Sequence, residues 1–324
     1  MVHEAGHFTF AKLFGVKVNE FSIGMGPKLL SRKKGETQYS WRLLPIGGYV
    51  SMEGEDSDSE DERAFGKKPC WQRIVIVAAG ALVNIMIGLI LVAISLGVSD
   101  SLSGTNYVNS FYNAEGKQVA EMNGLKAQDK ILKIDGKNVY YYTDVYYLAS
   151  RDEGSTSDVT ILRDGRKTEL KGIEFPSDSL VITGVDKTPL TVFKDTFKES
   201  VSICRMVWLS LFDLVTGKYS VKDVSGPVGV VDVVSKTAET SVKESDPSSL
   251  LTMLALITIN IGLFNLLPIP ALDGGRLFFL LVELIRRKPI NQKYESLVHG
   301  IGMALLLLFM AAITFKDIYT LIVK

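Results

Sequence analysis

The sequence is poor in cysteine and histidine and has no net charge. Only Cys70 and Cys204 occur among 324 residues, which argues against a disulfide framework and against a cysteine-based zinc site. Basic and acidic residues number 36 each, so the chain lacks the basic excess of a nucleic-acid-binding protein and we expect no nucleic-acid partner. Only three histidines occur, and two of them, His3 and His7, are four positions apart. Their rarity makes that spacing informative.

Charged residues are also absent from three long apolar runs. The first, Ile74–Val98, exceeds the roughly 20 residues needed to cross a bilayer core. The second, Leu250–Leu272, contains two asparagines and two prolines, and the third, Leu297–Phe315, is interrupted only by His299. The sequence therefore predicts membrane-spanning helices over residues 74–98, 249–272 and 297–318.

Basic residues near the ends of these runs predict their orientation. Four of them, Arg63, Lys67, Lys68 and Arg73, precede the first span, whereas an acidic residue, Asp100, follows it. Because lysine and arginine concentrate on the cytoplasmic side, the first span should begin in the cytoplasm. Residues 273–296 are also rich in basic side chains and should be cytoplasmic. We expect a multi-pass protein of the cell membrane.

The remaining segments fill the gaps between the spans. Residues 1–16 form an apolar helix too short to span alone, which we interpret as the remnant of a first transmembrane helix truncated at its N-terminal end. Residues 17–54 are a β segment and residues 55–73 a cytoplasmic loop. Residues 101–189 show strand-like alternation with an Asp164–Gly165 hairpin turn and should form an extracytoplasmic β-rich domain. Residues 190–248 contain an amphipathic helix that should lie along the membrane surface.

The sequence His3-Glu4-Ala5-Gly6-His7 is an HExxH pattern. Residues four apart share one face of a helix, so both imidazoles can bind one Zn²⁺. The glutamate then lies beside the open coordination position, where it can act as general base and acid. The alternative is that both histidines make ordinary polar contacts at a helix end.

A catalytic zinc needs a third protein ligand, and Asp273 and His299 are the candidates. Asp273 follows the second uncharged run, and a carboxylate at a membrane boundary is functional by default. Pro268 and Pro270 break the preceding helix and allow the chain to turn toward a site. An alternative role for Asp273 is to cap the helix that begins near Gly274. We interpret His299 as structural.

Several motifs together resemble the site-2 protease family of intramembrane zinc metalloproteases, most closely the bacterial type that regulates sigma factors. The resemblance covers nearly the whole chain and rests on HEAGHF, FSIGMGPKL, WRLLPIGGYVSMEGE, ERAFGKKPCWQRIVIVAAGALVN, NGLKAQDKILKIDGKNV, SGPVG and NIGLFNLLPIPALDGGRL. It implies a four-helix membrane core, a membrane-reentrant β segment and one inserted PDZ-like domain. It also implies cleavage within the transmembrane segment of a single-pass membrane protein, such as an anti-sigma factor or a signal-peptide remnant.

The same resemblance implies roles for individual residues. It makes His3, His7 and Asp273 zinc ligands and Glu4 the catalytic base and acid. It places Asn265 and Asn260 near the scissile bond, and it suggests that Gly47, Gly48 and Tyr49 contact an unwound substrate through β-strand addition. A peptide ligand of the PDZ-like domain is a further expected partner, besides the substrate and the lipid bilayer.

The chain departs from the family pattern at a few positions. Residues that would complete the first helix upstream of HExxH are absent, Ala81 replaces a common proline, and Gln128 occupies the usual glycine position of the PDZ-like turn. Two alternatives therefore stay open at this point. One is a catalytically inert truncated fragment, and the other is a membrane scaffold that binds a partner through its PDZ-like groove.

Overall fold

The computed structural model describes residues 1–55, 59–99, 103–113, 115–151, 156–176, 179–218, 226–288, 290 and 292–323. The chain divides into two compact units. The first contains residues 1–88, 222–236 and 255–324, and the second contains residues 89–221 and 237–254.

Helices make up most of the first unit, and the strands of the second unit lie between Ser103 and Val185. The helices among the described residues are α1 Val2–Leu13, α2 Cys70–Val98, α3 Tyr142–Ser150, α4 Pro189–Val215, α5 Pro227–Glu244, α6 Ser248–Asn265, α7 Asp273–Arg286 and α8 Gln292–Val323. A short 3-10 turn covers Phe65–Lys67. The strands are β1 Val18–Lys34, β2 Thr37–Met52, β3 Ser103–Tyr112, β4 Gln118–Val119, β5 Glu121–Met122, β6 Leu125–Lys126, β7 Lys130–Ile134, β8 Lys137–Asn138, β9 Thr156–Arg163, β10 Arg166–Glu174 and β11 Leu180–Val185.

Three of the described helices are long and apolar enough to cross a membrane. They cover Cys70–Val98, Ser248–Asn265 and Lys293–Thr320, which agrees with the three predicted spans in number and order. The first helix, α1, has 12 residues and is shorter than a span.

The second predicted span ends earlier than its hydrophobicity suggested. We expected helix to residue 272, but α6 ends at Asn265. The reason is local: Pro268 and Pro270 lack a backbone N–H, and each disfavours helical geometry in the residue before it. Residues 266–272 therefore form a loop, and a separate helix, α7, begins at Asp273.

Strands β1 and β2 form a sheet in which each strand bends back on itself. Residues 20–23 pair with residues 38–41 on one side and with residues 48–51 on the other, while residues 28–34 pair with residues 37–42. The reversal in β1 occurs at Gly24 and Gly26, whose φ angles of +82° and +86° favour glycine. The sheet thus has four adjacent segments, in the order 28–34, 37–42, 18–23 and 48–52, and its two edges are Lys28–Lys34 and Gly48–Met52.

The β-rich region of the second unit has its own hydrophobic core. Its main sheet has the order β10-β9-β7-β3-β11, with β4 and β8 paired at its margins, and β5 and β6 form a separate two-stranded pair. Helix α3 packs on this sheet through Val145 and Leu148. The predicted hairpin at Asp164–Gly165 is present, because both residues have positive φ between β9 and β10.

The polar side of helix α4 faces α3, and its apolar side is exposed. Asp195, Glu199 and Asp213 are buried, whereas Phe193, Phe197, Trp208 and Phe212 are exposed. The buried side is held to α3 by hydrogen bonds and ion pairs, which include a two-pronged contact of Arg151 with Asp213. A helix with an exposed apolar face agrees with the predicted amphipathic helix.

The predicted amphipathic region, residues 190–248, contains α4, α5 and the beginning of α6. Ser225 of the SGPVG motif is outside the described residues, and Pro227–Gly229 form the first turn of α5. Gly226 immediately precedes α5, and an added Cβ there would be 2.8 Å from the Asp317 Oδ2 atom of α8. The backbone N–H of Gly229 donates to the same oxygen at 2.9 Å, so Asp317 caps α5.

Candidate metal centre

Helix α1 presents His3 and His7 on one face, as the spacing predicts. Their Nε2 atoms are 3.1 Å apart, and their rings meet edge to face with centroids 4.7 Å apart. His7 is buried and His3 is half-buried. The two imidazoles therefore point to one place beside the N-terminal half of α1.

Asp273 reaches the same place from α7. Its Oδ2 atom lies 2.9 Å from His3 Nε2 and 3.2 Å from His7 Nε2. Leu272 is the N-cap residue of α7, and Asp273 is the first residue within the helix. The alternative that Asp273 caps α7 is therefore wrong, because its carboxylate faces the histidines.

The three atoms form a triangle that fits a tetrahedral zinc ion. Its edges are 2.9, 3.1 and 3.2 Å. Zinc bonds of 2.0–2.1 Å in a regular tetrahedron place neighbouring ligand atoms about 3.3 Å apart. Within the described part of the chain, Asp273 Oδ2 is buried and accepts no hydrogen bond of regular geometry, as expected where lone pairs converge on a cation. Two imidazoles and a carboxylate are also ligand types that zinc accepts.

Hydrogen bonds from α2 orient both imidazoles. His7 Nδ1 lies 2.8 Å from the carbonyl oxygen of Ile76. A carbonyl only accepts, so His7 Nδ1 carries the proton and its Nε2 offers a lone pair. The Nδ2 atom of buried Asn84 lies 3.4 Å from His3 Nδ1. Because amide oxygen and nitrogen are assigned from their hydrogen bonds, turning the amide would place Oδ1 toward the ring and fix the same tautomer in His3.

Glycines allow α2 to pass directly against the imidazoles. A Cβ atom added at Gly80 would lie 2.4 Å from His7 Nε2 and 2.8 Å from His3 Cε1. A Cβ added at Gly6 on α1 would lie 2.6 Å from the carbonyl oxygen of Ala79. Any side chain at either position would separate the two helices or displace the imidazoles.

Glu4 lies beside one edge of the β1–β2 sheet. Its Cγ atom would be 3.3 Å from a Cβ added at Gly48, and that Cβ would also be 2.6 Å from the carbonyl oxygen of Ser22. The neighbouring Gly47 has φ +72° and marks the bend that brings the Gly48–Met52 edge to this position. The Tyr49 hydroxyl interacts with Arg42, whose guanidinium also lies over the Tyr49 ring at 5.0 Å.

The predicted asparagines of α6 are less closely tied to the triad. Asn260 and Asn265 are both half-buried. The Oδ1 atom of Asn260 is buried and has no hydrogen-bond partner in the part of the chain that the structure describes.

His299 does not join the candidate ligands. Among the described residues, the group with metal-ligand spacing is His3, His7 and Asp273. His299 lies on α8, where its Nδ1 atom accepts a hydrogen bond from the backbone N–H of Ala271 at 3.1 Å.

Helix α7 is held to α2 and to the β2 end by polar contacts. Arg73 of α2 makes a two-pronged ion pair with Glu283, and Arg276 pairs with Glu55 just after β2. The Cys70 thiol donates to the carbonyl oxygen of Leu280 at 3.3 Å. These contacts act on both the first and the last turns of the helix that carries Asp273.

Sequence reasoning missed Asn84, Gly80 and Gly6 as parts of the site. Asn84 gave a signal, because it is the one amide-bearing side chain within the uncharged run of α2. The glycines gave none, since glycine is common in apolar helices of membrane proteins.

An HExxH helix, a carboxylate from a second helix and three apolar helices define a membrane-embedded zinc metalloprotease. Comparison with known proteins agrees with that class. The model of peptidase family M50 matches residues 1–309, and the chain belongs to this family.

Named relatives extend the comparison along the whole chain. A provisionally named zinc metalloprotease of Clostridium acetobutylicum is 37% identical, with 98% of this chain and 93% of the relative aligned. The zinc metalloprotease RasP of Bacillus licheniformis is 30% identical, with 98% and 96% aligned. The regulator of sigma-W protease RasP of Bacillus subtilis is 29% identical, with 98% and 95% aligned. The protein is therefore a zinc-dependent endopeptidase of the site-2 protease type, located in a membrane.

Proposed function

We propose that the protein cleaves a peptide bond within the transmembrane segment of a single-pass membrane protein, with zinc held by His3, His7 and Asp273. The observation that carries this proposal is the triangle of three ligand atoms, with edges of 2.9–3.2 Å, at the end of an HExxH helix. A structural zinc site would have a fourth protein ligand, whereas three ligands leave a position open for water and substrate.

The protein's own groups supply the proton transfers. Zinc, when bound, acidifies a water molecule and polarises the scissile carbonyl. Glu4 accepts the proton of the attacking water and returns it to the leaving amine. His7, with its Nδ1–H directed to Ile76, stays in the tautomer that donates its Nε2 lone pair. Asn84 would do the same for His3 with its amide turned so that Oδ1 faces His3 Nδ1.

The Gly48–Met52 edge is where an unwound substrate would bind. A helical substrate hides its carbonyls in hydrogen bonds and must be extended before cleavage. An extended segment can add to a free sheet edge through main-chain hydrogen bonds. This edge begins at Gly48, against Glu4, so a strand added there would run past the catalytic carboxylate. Gly47 and Tyr49 flank the point of closest approach.

The family resemblance and the burial of Asn260 support a substrate-binding role for the asparagines of α6. The Oδ1 atom of Asn260 is buried without a hydrogen-bond partner among the described residues, so it could accept a hydrogen bond from a bound substrate. We assign Asn260 and Asn265 to contacts with the unwound substrate or with the oxyanion formed during hydrolysis.

The relatives support a substrate class for this protein. A relative is named as a regulator of sigma-W protease, which suggests a membrane-anchored anti-sigma factor, and a signal-peptide remnant presents a similar helix.

We place the active site near the cytoplasmic side and the β-rich unit outside the cell. This unit would act as a PDZ-like filter for shortened substrates, held to the membrane surface by the exposed aromatic face of α4. A four-helix core, with α1 contributing to its first helix, completes the proposed architecture.

The inert-fragment and scaffold alternatives are not favoured. An inert fragment would have no reason to retain hydrogen bonds that orient both imidazoles. A scaffold that acts only through its β-rich unit would have no use for a buried carboxylate opposite two histidines.

The variant Glu4→Gln tests the chemistry. It removes the base but keeps the three ligands, so the protein should retain about one zinc per chain while cleavage of a model transmembrane substrate falls by at least a hundredfold. Cleavage at the wild-type rate would refute the role of Glu4.

The uncleaved complex of that variant also tests the substrate path. With Cys70 and Cys204 replaced by serine, a cysteine at Ser51 should form a disulfide with a substrate cysteine near the scissile bond. A cysteine at Ser31, on the opposite edge of the same sheet, is the matched control and should not. Equal cross-linking from both edges would contradict strand addition beside Glu4.

A further inference from the structure

We propose that His299 is a positioning residue that sets the place of Asp273, an inference that rests on the proposed function in which Asp273 binds zinc. The third histidine would then serve the same site as the other two without touching the metal.

This loop contains a strained residue just before the carboxylate. Ala271 has φ +81°, in the region that residues with a Cβ atom rarely occupy. Such a conformation persists only where surrounding contacts impose it. Two residues later the chain presents Asp273 to the histidines, so the geometry at Ala271 determines where the carboxylate lies.

His299 supplies a contact that imposes this geometry. Its Nδ1 atom accepts the hydrogen bond of the Ala271 backbone N–H at 3.1 Å. An imidazole nitrogen that accepts a hydrogen bond must be unprotonated, so the Nδ1 lone pair of His299 is used by this hydrogen bond to the loop. The same ring lies close to the first turn of α7, because a Cβ added at Gly275 would be 3.0 Å from His299 Cε1. The ring of Phe279, one turn further along α7, is 5.8 Å away between centroids.

A second contact of α8 supports the same loop independently. A Cβ added at Gly302 would lie 2.4 Å from Pro270 Cβ and 2.9 Å from its carbonyl carbon. Helix α8 therefore contacts two successive residues of the loop, Pro270 through Gly302 and Ala271 through His299. By contrast, a Cβ added at Gly300 would meet nothing within 4 Å.

Loss of the His299 hydrogen bond should therefore release the Ala271 geometry and weaken zinc binding. Groups that orient metal ligands typically contribute 10- to 100-fold to metal affinity. We expect His299→Ala to bind zinc about tenfold more weakly than the wild type. His299→Asn should recover most of the affinity, because its Oδ1 acceptor is separated from Cα by the same number of bonds as Nδ1.

The test is a zinc titration of the full-length protein in detergent, in competition with a chromophoric chelator. The variants are His299→Ala, His299→Asn, Gly302→Ala and the matched control Gly300→Ala, with circular dichroism to confirm that each retains its helix content. We expect weaker zinc binding in His299→Ala and Gly302→Ala, most of the affinity restored in His299→Asn, and wild-type binding in Gly300→Ala. Wild-type affinity in His299→Ala, equal weakening in both His299 variants, or equal affinity of the two glycine variants would each overturn the inference.

A fifth variant separates this inference from the proposed function. Asp273→Ala should lose most of its zinc affinity if the carboxylate is a ligand. Wild-type affinity in Asp273→Ala would overturn the proposed ligand set and the inference with it. Loss of zinc in Asp273→Ala together with wild-type affinity in His299→Ala would overturn the inference alone.

Discussion

The contact between α3 and α4 in the β-rich unit should weaken as the pH rises toward neutrality. Glu199 is 3% exposed, and its Oε2 atom accepts a hydrogen bond from Thr143 Oγ1 at 2.9 Å. The pKa of Glu199 is raised to about 7, mainly by burial. The Thr143 hydrogen bond lowers this pKa, and the neighbouring carboxylates of Asp144 and Asp195 raise it. The group is outside the predicted spans.

The sign of the pH effect follows from the raised pKa. Below about pH 4.5, Glu199 is protonated in both the folded and the unfolded states and contributes no pH dependence. Between about 4.5 and 7 the unfolded state loses its proton while the folded state keeps it, so stability falls as the pH rises. Above about pH 7 the penalty is constant. The difference between the two pKa values corresponds to about 3 kcal/mol, or roughly a few hundredfold in the local opening constant.

Hydrogen exchange of the full-length protein in detergent measures this opening. Peptides from α3 and from the first half of α4 should lose protection between pH 5 and pH 8, once the intrinsic pH dependence of exchange is removed. Glu199→Gln should abolish most of the loss, because a neutral amide keeps an acceptor for Thr143 and has no charge to bury. Glu169→Gln, at a solvent-exposed position of β10, is the control and should behave as the wild type. An unchanged pH dependence in Glu199→Gln would refute the reasoning.

Two further predictions concern the metal centre and the membrane topology. Gly80→Ala should lower zinc affinity by at least tenfold, because the added Cβ would lie 2.4 Å from His7 Nε2, whereas Gly97→Ala on the same helix meets nothing within 4 Å and should leave zinc affinity unchanged. Equal affinities of these two variants, measured by chelator competition, would contradict the close packing of α2 on the imidazoles. In a background without Cys70 and Cys204, a cysteine at exposed Lys167 of β10 should react with a membrane-impermeant maleimide in intact cells, whereas one at Lys288 after α7 should react only after permeabilisation. The opposite labelling pattern would reverse the proposed orientation.

Much of the architecture could be predicted from local sequence patterns. The long uncharged runs indicated three spans, and the structure contains three helices suited to cross a membrane. The Asp164–Gly165 turn and its flanking strands were also predictable, because two residues with positive φ suit the twist of a hairpin. The end of α6 was predicted incorrectly, since hydrophobicity continues through residue 272 although the prolines stop the helix earlier.

Long-range features of the site were beyond sequence reasoning. Whether Asp273 caps its own helix or faces the histidines depends on the loop before it, and that loop depends on Ala271 and on α8. The role of Asn84 depends on a crossing between α1 and α2 that two glycines make possible. The pairing of residues 20–23 with two separate parts of β2 placed Gly48 next to Glu4, and alternation in the sequence carries no record of such a bend.

By itself, the sequence determined the chemical type of the protein and its relation to the membrane. Two histidines and a glutamate at helical spacing define a zinc-binding helix, and uncharged runs define spans, because both signals depend on neighbours along one segment. Only the tertiary structure decided that Asp273 rather than His299 faces the two imidazoles, that Asn84 lies next to His3 and that His299 contacts the loop before α7. Those contacts join residues about 28 to 270 positions apart, and they are set by the packing of helices and loops, which no local pattern records.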